Sequence, residues 1–214
     1  MNKHYIEQIF ELLKREYPDA GIELDFADNW QLLVAVILSA QCTDKRVNIV
    51  TPPLFRRYPT VQDFAECEIS ELEKLIYSTG FYKNKAKNIK AAAELVVREF
   101  GGEVPGTMEE LLRLPGVARK TANVVLNEGF GKSEGIVVDT HVIRLSRLLH
   151  LIPQKVAKSK NAVAIEKALM KVIPPDEWPK LSHLLIWHGR RICIARRPKC
   201  EICPLNKLCP SSLV

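Results

Sequence analysis

The sequence predicts an all-α protein. Apolar residues recur with the period of an α-helix through almost the whole chain, whereas only residues 135–138 have an extended pattern. So short an extended stretch cannot build a sheet. Capping residues, glycines and prolines also fall where successive helices would start and stop. We therefore expect a helical protein that ends in a cysteine-rich loop region.

The first half of the chain predicts an opening helix followed by a buried one. Apolar side chains between Tyr5 and Leu13 share one helical face. Residues 30–40 are apolar on nearly every side, which is typical of a helix inside a bundle. Pro52–Pro53 predict that the segment after Thr43 breaks and that a new helix starts near Pro52. Ser70 and Glu73 have the spacing of a capping box.

The second half predicts several further helices. Thr107 and Glu110 form a second capping-box pattern in front of an apolar run. Glycines at 80, 101–102 and 129 are expected to end helices, because glycine readily adopts the left-handed backbone of a helix end. The remaining helices are predicted at residues 84–100, 118–127, 140–150, 159–172 and 179–190.

Length and composition set limits on the class of protein. The chain has 214 residues, enough for one large domain or two small ones, and 47% hydrophobic with 26% charged residues excludes a mainly disordered chain. Charged side chains interrupt the N-terminal apolar residues, so we expect no secretory signal. The longest apolar run, residues 32–38, is far below the ~20 residues that span a bilayer. We expect a soluble, cytoplasmic protein without a membrane partner.

The charge is basic and concentrated. The net charge is +6 with a pI near 9.0, which by itself only suggests a polyanionic partner. Residues 190–209, however, hold six basic side chains against one acid, together with four of the six cysteines. Positive charge and sulfur therefore occupy the same stretch.

The four cysteines Cys193, Cys200, Cys203 and Cys209 have the spacing C-x6-C-x2-C-x5-C. In a reducing compartment, thiols this close indicate a metal centre rather than two local disulfides. Structural zinc sites commonly pair two C-x2-C steps, and only one is present here. The longer arms favour a bulkier iron–sulfur cluster, with zinc as the competing interpretation.

Residues 114–126 predict a hairpin between two helices. A capped helix beginning at Thr107 runs into the tight turn Pro115–Gly116, and a second helix leaves that turn. Free backbone N–H groups at such a helix start suit a phosphate oxygen. The pattern resembles a helix-hairpin-helix element, which holds the DNA backbone without reading its sequence. An ordinary corner between two helices is the alternative.

Lys120 and Asp139 are the candidate reactive residues. Lys120 falls in the first turn of the second hairpin helix, where the helix dipole and partial burial would both lower the pKa of its amine. A neutral amine is what Schiff-base chemistry requires, although a lysine here is commonly solvated or bound to phosphate. Asp139 is placed to cap a helix starting at Thr140, and a carboxylate held in this way can also serve chemistry.

Together these features resemble the endonuclease III family of DNA glycosylases, in the helix-hairpin-helix superfamily. The resemblance extends over essentially the whole chain. It is carried by the hairpin lysine, the downstream aspartate, the cysteine spacing and the segments Leu38–Gln41, Asn84–Ile89, Leu114–Asn127, Val138–His141 and His188–Arg190.

The resemblance implies two helical lobes with the active site in the cleft between them. A six-helix domain over residues 21–133 would hold the hairpin at about 107–128. Residues 1–20 together with 134–214 would form the iron–sulfur domain. By the same resemblance, the four cysteines hold a [4Fe–4S] cluster.

The resemblance also implies the reaction. The enzyme would excise oxidised pyrimidines of the thymine-glycol type from double-stranded DNA, after flipping the nucleotide out of the stack. Lys120 would attack the sugar C1′ atom and displace the base, while Asp139 stabilises positive charge and helps to activate the amine. The Schiff base would then allow β-elimination at abasic sites. A monomer associated with the nucleoid is expected.

Further residues are expected to contact DNA. Gln41 would fill the gap left by the flipped nucleotide, and Phe81 would act as an apolar wedge where the family typically has leucine, core packing being the alternative. The charged loop between the first two cysteines would grip phosphates unless it is only a solvated charge run. The expected DNA-binding residues are Gln41, Phe81, Gly116, Ala118, Thr121, His141, Arg196, Arg197 and Lys199.

Two departures from the family pattern and two rival functions remain. Ala118 stands where the hairpin usually has glycine, which matters only if the backbone there has a positive φ. Pro52–Pro53 is the second departure and affects a local helix boundary. One rival is a monofunctional adenine- or thymine-mismatch glycosylase, although such relatives lack the hairpin lysine. The other is a non-catalytic or redox-sensing DNA-binding protein.

Overall fold

The structure is a computed structural model that describes residues 3–214, and it confirms the all-α prediction. Within this range the chain forms twelve α-helices and three short 3-10 helices, without any strand. Met1 and Asn2, part of the predicted segment 1–20, lie outside the described residues. No helix in the described range has the length and apolarity needed to cross a membrane.

The chain divides into two compact units. The inserted unit is Glu23–Lys132, and the terminal unit joins Met1–Ile22 to Ser133–Val214. The helices of the inserted unit are α2 (Asn29–Ser39), α3 (Asp44–Arg57), α4 (Val61–Glu66), α5 (Ile69–Ile76), α6 (Tyr82–Phe100), α7 (Met108–Leu111) and α8 (Arg119–Phe130). Those of the terminal unit are α1 (Lys3–Glu16), α9 (Thr140–Leu148), α10 (Gln154–Ser159), α11 (Ala162–Met170) and α12 (Trp178–Arg191). The 3-10 helices are Tyr77–Thr79, Pro175–Glu177 and Cys200–Ile202.

Helix α2 is the centre of the inserted unit, as its uniformly apolar sequence predicts. Every residue from Trp30 to Leu38 except Gln31 is buried, and α3, α6 and α8 pack against this helix. Gly129 was expected to end a helix but lies inside α8, which continues to a left-handed cap at Gly131. A Cβ on Gly129 would clash with the Asn29 side chain, so this glycine allows α8 to approach α2.

The predicted break at Pro52–Pro53 is wrong, because α3 runs through both prolines. Each proline removes one backbone donor, yet both lie on the exposed face of the helix, where water can satisfy the freed carbonyls. The opposite face buries Val47, Val50 and Leu54. Packing of that face therefore keeps the helix continuous despite the two missing hydrogen bonds.

The capping box predicted at Ser70 is also wrong. Helix α5 begins at Ile69 behind Glu68, which makes no side-chain cap. A capping box is present instead at Thr60 and Asp63, which starts the unpredicted helix α4. Ser70 therefore lies inside the first turn of α5 rather than in front of it.

The terminal unit packs α1 and α9 against α12 around one apolar core. The helix predicted over 159–172 is present as α11, which begins at Ala162, and the separate helix α10 in front of it was not predicted. Lys160 between them has a φ of 53°, and the Asn161 side chain caps α11 by accepting from the Ala164 N–H. A left-handed residue followed by a new N-cap ends one helix and starts the next.

Candidate functional site

The predicted hairpin is present in the inserted unit. The Thr107 side chain caps α7 by accepting from the Glu110 N–H, as predicted. The turn is closed by a hydrogen bond from the Val117 N–H to the Leu114 carbonyl at 3.1 Å, and α8 follows at Arg119. The sequence from Leu114 to Asn127 therefore forms a tight turn followed by a helix, with α7 in front of it.

Gly116 is required by this turn for two reasons. Its φ is +80°, a conformation that L-residues rarely adopt. A Cβ at this position would also lie 2.9 Å from Cβ of Asn88 on α6. The turn therefore rests directly on the segment Asn84–Ile89, so that two segments distant in sequence meet in space.

Ala118 occupies the N-cap of α8 without backbone strain. Its φ of −95° and ψ of 170° are ordinary extended values, so the departure from the family glycine is harmless to the backbone. Alanine has no acceptor, and α8 begins without a side-chain cap. Backbone N–H groups of the first turn are therefore not covered by a capping side chain, which suits a phosphate. Thr121 lies in the same turn and is half-buried.

Lys120 is the second residue of α8, as predicted, but its side chain is exposed. The expected partial burial is therefore wrong for the protein without DNA. The position at the positive end of a twelve-residue helix remains. An exposed amine beside the hairpin turn is accessible to a nucleotide that approaches this surface.

Asp139 in the terminal unit is the N-cap of α9. Its Oδ1 accepts from the Val142 N–H at 2.8 Å, which fixes the carboxylate while leaving the residue half-exposed. The half-buried His141 follows, and burial lowers the pKa of its imidazole, partly offset by the charge of Asp139. The cap and a chemical role are compatible, since the cap occupies one of the two carboxylate oxygens.

Gln41 and Phe81 are exposed residues with left-handed backbones in the inserted unit. Their φ values are 53° and 50°, and the Phe81 residue is 63% exposed. The alternative that Phe81 packs in the core is therefore wrong. Non-glycine residues with positive φ are uncommon and mark backbone held by its surroundings. Each follows the end of a short helical segment, Gln41 after α2 and Phe81 after the 3-10 helix Tyr77–Thr79.

The four cysteines line one cavity of the terminal unit. All are half-buried free thiols, and the cavity has a volume of about 220 Å³, far more than one water or ion needs. Four thiols that line one cavity of this size are a donor set that fits an iron–sulfur cluster.

Burial disfavours the thiolate form of the cysteines in this site. Burial raises the pKa of Cys193, Cys203 and Cys209, and charge on neighbouring cysteines of the set raises each further. A positively charged metal centre overcomes this cost by stabilising the thiolates. The four cysteines, spread over 17 residues of the chain, line the same cavity.

Two further side chains, those of His188 and Arg144, contact the cysteine segment. His188 is buried, with Nδ1 3.0 Å from the Tyr17 hydroxyl and Nε2 3.5 Å from the Cys203 sulfur. Burial, and then the charge of Arg144, lowers the pKa of His188 to about 4. The His188 ring therefore bridges the Tyr17 hydroxyl and the Cys203 sulfur. Arg144 donates to the Cys193 carbonyl at 2.5 Å.

The basic loop leaves directly from the cysteine site. A hydrogen bond from the Lys199 N–H to the Ile192 carbonyl at 3.0 Å closes it, and Arg196, Arg197 and Lys199 are all exposed. None of the three forms an ion pair within the described part of the chain. Their charges are therefore available to an external anion.

Sequence reasoning missed the roles of Lys85 and Asn88. Lys85 is 5% exposed and its ammonium is bonded inside the inserted unit, whereas Asn88 supports the hairpin turn. A signal for Lys85 was present in the sequence. It lies on the apolar face of α6 that also carries Ile89 and Val96, a position where lysine is unusual.

Two models of known protein families match separate parts of the chain. The model described as an HhH-GPD superfamily base excision DNA repair protein matches residues 34–175. A second model, the iron–sulfur binding domain of endonuclease III, matches residues 193–209, which contain all four cysteines. The cofactor is therefore a [4Fe–4S] cluster, and the zinc and disulfide interpretations are excluded.

Whole-chain comparisons agree with these matches. The chain is 53% identical to endonuclease III of Synechocystis sp., over 98% of this chain and 94% of that protein. A solved non-covalent endonuclease III–DNA complex is 42% identical, with a TM-score of 0.92, covering 99% of this chain and 97% of that one. A trapped endonuclease III–DNA covalent intermediate gives the same identity, coverage and TM-score. A hairpin with an exposed lysine, four cysteines around one cavity and near-complete coverage together show that the chain belongs to the endonuclease III family of base excision DNA repair proteins.

Proposed function

We propose that this chain is a bifunctional DNA glycosylase and abasic-site lyase that removes oxidised pyrimidines of the thymine-glycol type from double-stranded DNA. It acts as a monomer. The observation that carries the proposal is Lys120, an exposed amine at the uncapped start of the second hairpin helix. The covalent DNA intermediate trapped with a 42% identical endonuclease III supports a nucleophilic step in the family.

The two proposed catalytic residues divide the chemistry. The Lys120 amine attacks C1′, the new N–C1′ bond replaces the glycosidic bond, and the base departs with the electron pair and is protonated. Asp139 stabilises the positive charge that develops on the sugar and accepts a proton from the amine. The sugar ring then opens as the C1′–O4′ bond breaks and O4′ takes up a proton, which gives the Schiff base between Lys120 and C1′. Loss of the 2′ proton from this Schiff base breaks the C3′–O bond, and the 3′ phosphate leaves with the electron pair.

Bound DNA supplies the desolvation that free Lys120 lacks. A flipped nucleotide displaces water from the amine at the start of α8. Phosphate contacts by Gly116, Ala118 and Thr121 hold the duplex at the hairpin. The proposed contacts of His141 and of the basic loop add binding affinity that does not depend on the DNA sequence.

The four cysteines are the proposed ligands of the [4Fe–4S] cluster, which cross-links their thiolates when bound. The loop from Cys193 to Cys200 then has both ends fixed at the cluster. Arg196, Arg197 and Lys199 project from that loop into solvent. The cluster ligands thus shape a phosphate-binding segment, and the reaction on the sugar needs no electron from it.

Borohydride trapping tests the proposed nucleophile. The wild-type protein should form a covalent adduct on duplex DNA with a natural abasic site or a thymine glycol, because borohydride reduces the Schiff base. Lys120→Gln should abolish the adduct and keep affinity for a tetrahydrofuran abasic analogue within about threefold, since the backbone contacts remain. Lys167→Gln, at an exposed lysine of α11, is the matched control and should trap normally.

The rival functions give different results in the same assay. A monofunctional glycosylase would release base without any trapped adduct. A non-catalytic DNA-binding or redox-sensing protein would release no base, and replacing Lys120 and Asp139 would change nothing measurable. A panel of duplexes, each with one lesion, then measures kcat/KM for each base and contradicts the proposed substrate class if oxidised pyrimidines are not the fastest.

A further inference from the structure

Lys85 is a buried cation in the inserted unit. The residue is 5% exposed, on the apolar face of α6, and no carboxylate within residues 3–214 lies at ion-pairing distance from its Nζ atom. Burial lowers the pKa of this ammonium. A lysine in such a place is costly unless its donors are used, so its hydrogen bonds indicate its purpose.

The ammonium bridges two carbonyls from separate segments. Nζ donates to the Leu38 carbonyl at 2.8 Å and to the Thr79 carbonyl at 2.9 Å, and both bonds are buried. Leu38 lies in the last turn of α2, three residues before Gln41. Thr79 ends a 3-10 helix, two residues before Phe81. One side chain therefore joins the two segments that carry the proposed DNA-inserting residues.

This bridge acts where the backbone is strained. Gln41 and Phe81 have φ values of 53° and 50°, and such conformations persist only when the surroundings enforce them. The carbonyls near a helix end lack intrahelical donors, and a cation is the favoured partner there. Lysine can supply both bonds from one point charge, whereas an apolar side chain would leave two buried carbonyls unpaired.

We propose that Lys85 is a positioning residue that holds the Gln41 and Phe81 segments in one fixed relation, so that both side chains enter the duplex together at the flipped nucleotide. The inference rests on the proposed function, because it takes Gln41 and Phe81 as the inserted residues. It assigns to Lys85 the energetic coupling between the two insertions rather than any contact with DNA.

The same helix provides a matched control. Lys90 also donates to two carbonyls, those of Ala65 and Cys67, each at 2.8 Å. Its bridge joins the end of α4 to the following residue, away from the Gln41 and Phe81 segments in sequence. Substituting Lys90 therefore removes a comparable but only part-buried pair of carbonyl hydrogen bonds, together with a 3.7 Å ion pair to Glu94, without touching the proposed insertion.

The experiment is a double-mutant cycle on the intact protein with its cluster. Dissociation constants are measured by fluorescence anisotropy for a duplex with one tetrahydrofuran abasic analogue and for the same duplex undamaged. Lys85→Met should weaken binding to the abasic duplex about tenfold and change binding to undamaged DNA less than twofold. When Lys85→Met binds, a 2-aminopurine placed beside the analogue should no longer show the fluorescence change that reports unstacking. Lys90→Met should match the wild type in both readings.

The decisive comparison uses the variant Q41A/F81A. If Lys85 acts through these side chains, Lys85→Met should cost less than about twofold in that background. The full tenfold loss in Q41A/F81A, or an equal loss in Lys90→Met, would overturn the inference. Should Lys85→Met fail to fold, Lys85→Arg goes through the same cycle, and it must show the same non-additivity.

Failure of this inference can be told apart from failure of the proposed function. Wild-type protein that forms no borohydride adduct on abasic DNA overturns the proposed function. An adduct of normal yield, combined with a Lys85→Met variant that binds the abasic duplex as the wild type does, overturns the positioning role alone.

Discussion

Asp139 combines a structural and a proposed chemical role that substitution can separate. Asparagine caps a helix about as well as aspartate, whereas alanine does not. We expect Asp139→Asn to keep the free energy of unfolding unchanged and Asp139→Ala to lower it by about 1 kcal/mol. Both variants should slow base release at least ~100-fold, because neither retains the carboxylate. Urea unfolding and single-turnover kinetics measure the two effects.

The imidazole of His141 reports the same charge independently. Burial lowers its pKa, and the negative charge of Asp139 raises it. Removing that charge in Asp139→Asn should lower the pKa of His141 further, visible as an NMR titration displaced to lower pH. An unchanged His141 titration would show that the carboxylate does not act on this side chain. Base release at the wild-type rate would contradict the proposed role of Asp139.

Substitutions at the two small residues of the hairpin turn should affect stability to very different extents. Gly116→Ala places a Cβ at a φ of +80° and 2.9 Å from the Asn88 side chain, so it should destabilise the protein by about 2 kcal/mol. Ala118→Gly, at a φ of −95°, should leave stability within about 0.5 kcal/mol. Thermal unfolding of the pair measures the difference, and equal melting temperatures would contradict it.

At the scale of elements, α3 shows where local sequence signals are overridden. Two adjacent prolines predict a helix break, yet α3 continues because its buried face packs and its proline face is exposed. Packing partners lie far away in the sequence, so no local pattern reports them. The capped start at Thr107 was predictable because both hydrogen-bonding groups lie within four residues.

The prolines of α3 remain a local cost that can be removed. Pro53→Ala restores one helical N–H donor and should raise the free energy of unfolding by about 2 kcal/mol, less the entropy that alanine adds to the unfolded chain. Pro59→Ala, in the exposed segment after α3, is the control and should bring no gain. Equal effects of the two substitutions on the free energy of unfolding in urea would show that Pro53 does not destabilise α3.

The candidate site was predictable to the extent that chemistry is local in sequence. Cysteine spacing, the hairpin lysine and the capping aspartate could be read directly from the chain. The function of Lys85 could not, because its acceptors are the Leu38 and Thr79 carbonyls, and backbone oxygens carry no residue identity. For the same reason, the contact between Asn88 and Gly116 appears only once the helices are packed.

At the scale of the whole molecule, the placement of charge matters more than its sum. The excess of basic residues is concentrated in the stretch that contains the cysteines, and its loop charges are exposed. A net charge of +6 gives general attraction to DNA, whereas binding of individual phosphates requires side chains at the interface. Salt dependence of binding distinguishes these two contributions.

We expect the variant R196A/R197A/K199A to reduce the slope of log K against log salt by about 3, because three phosphates are no longer neutralised. The control variant K155A/K158A/K160A removes the same charge from exposed positions elsewhere in the terminal unit and should change the slope far less. Equal slopes in both variants would show that only net charge acts. The measurement is fluorescence anisotropy of one duplex over a range of salt concentrations.

The terminal unit is built from one chain segment before the inserted unit and one after it. This sequence order determines the order of folding. Hydrogen bonds join Tyr5 to Leu149 and Tyr17 to His188, across sequence separations of 144 and 171 residues. During synthesis the inserted unit is complete while α1 still has no partner helix. Docking of α1 must await α12 and the cysteine segment, and such long-range closure is slow. The apolar face of α1 therefore stays uncovered in the emerging chain until the cofactor site itself has been translated.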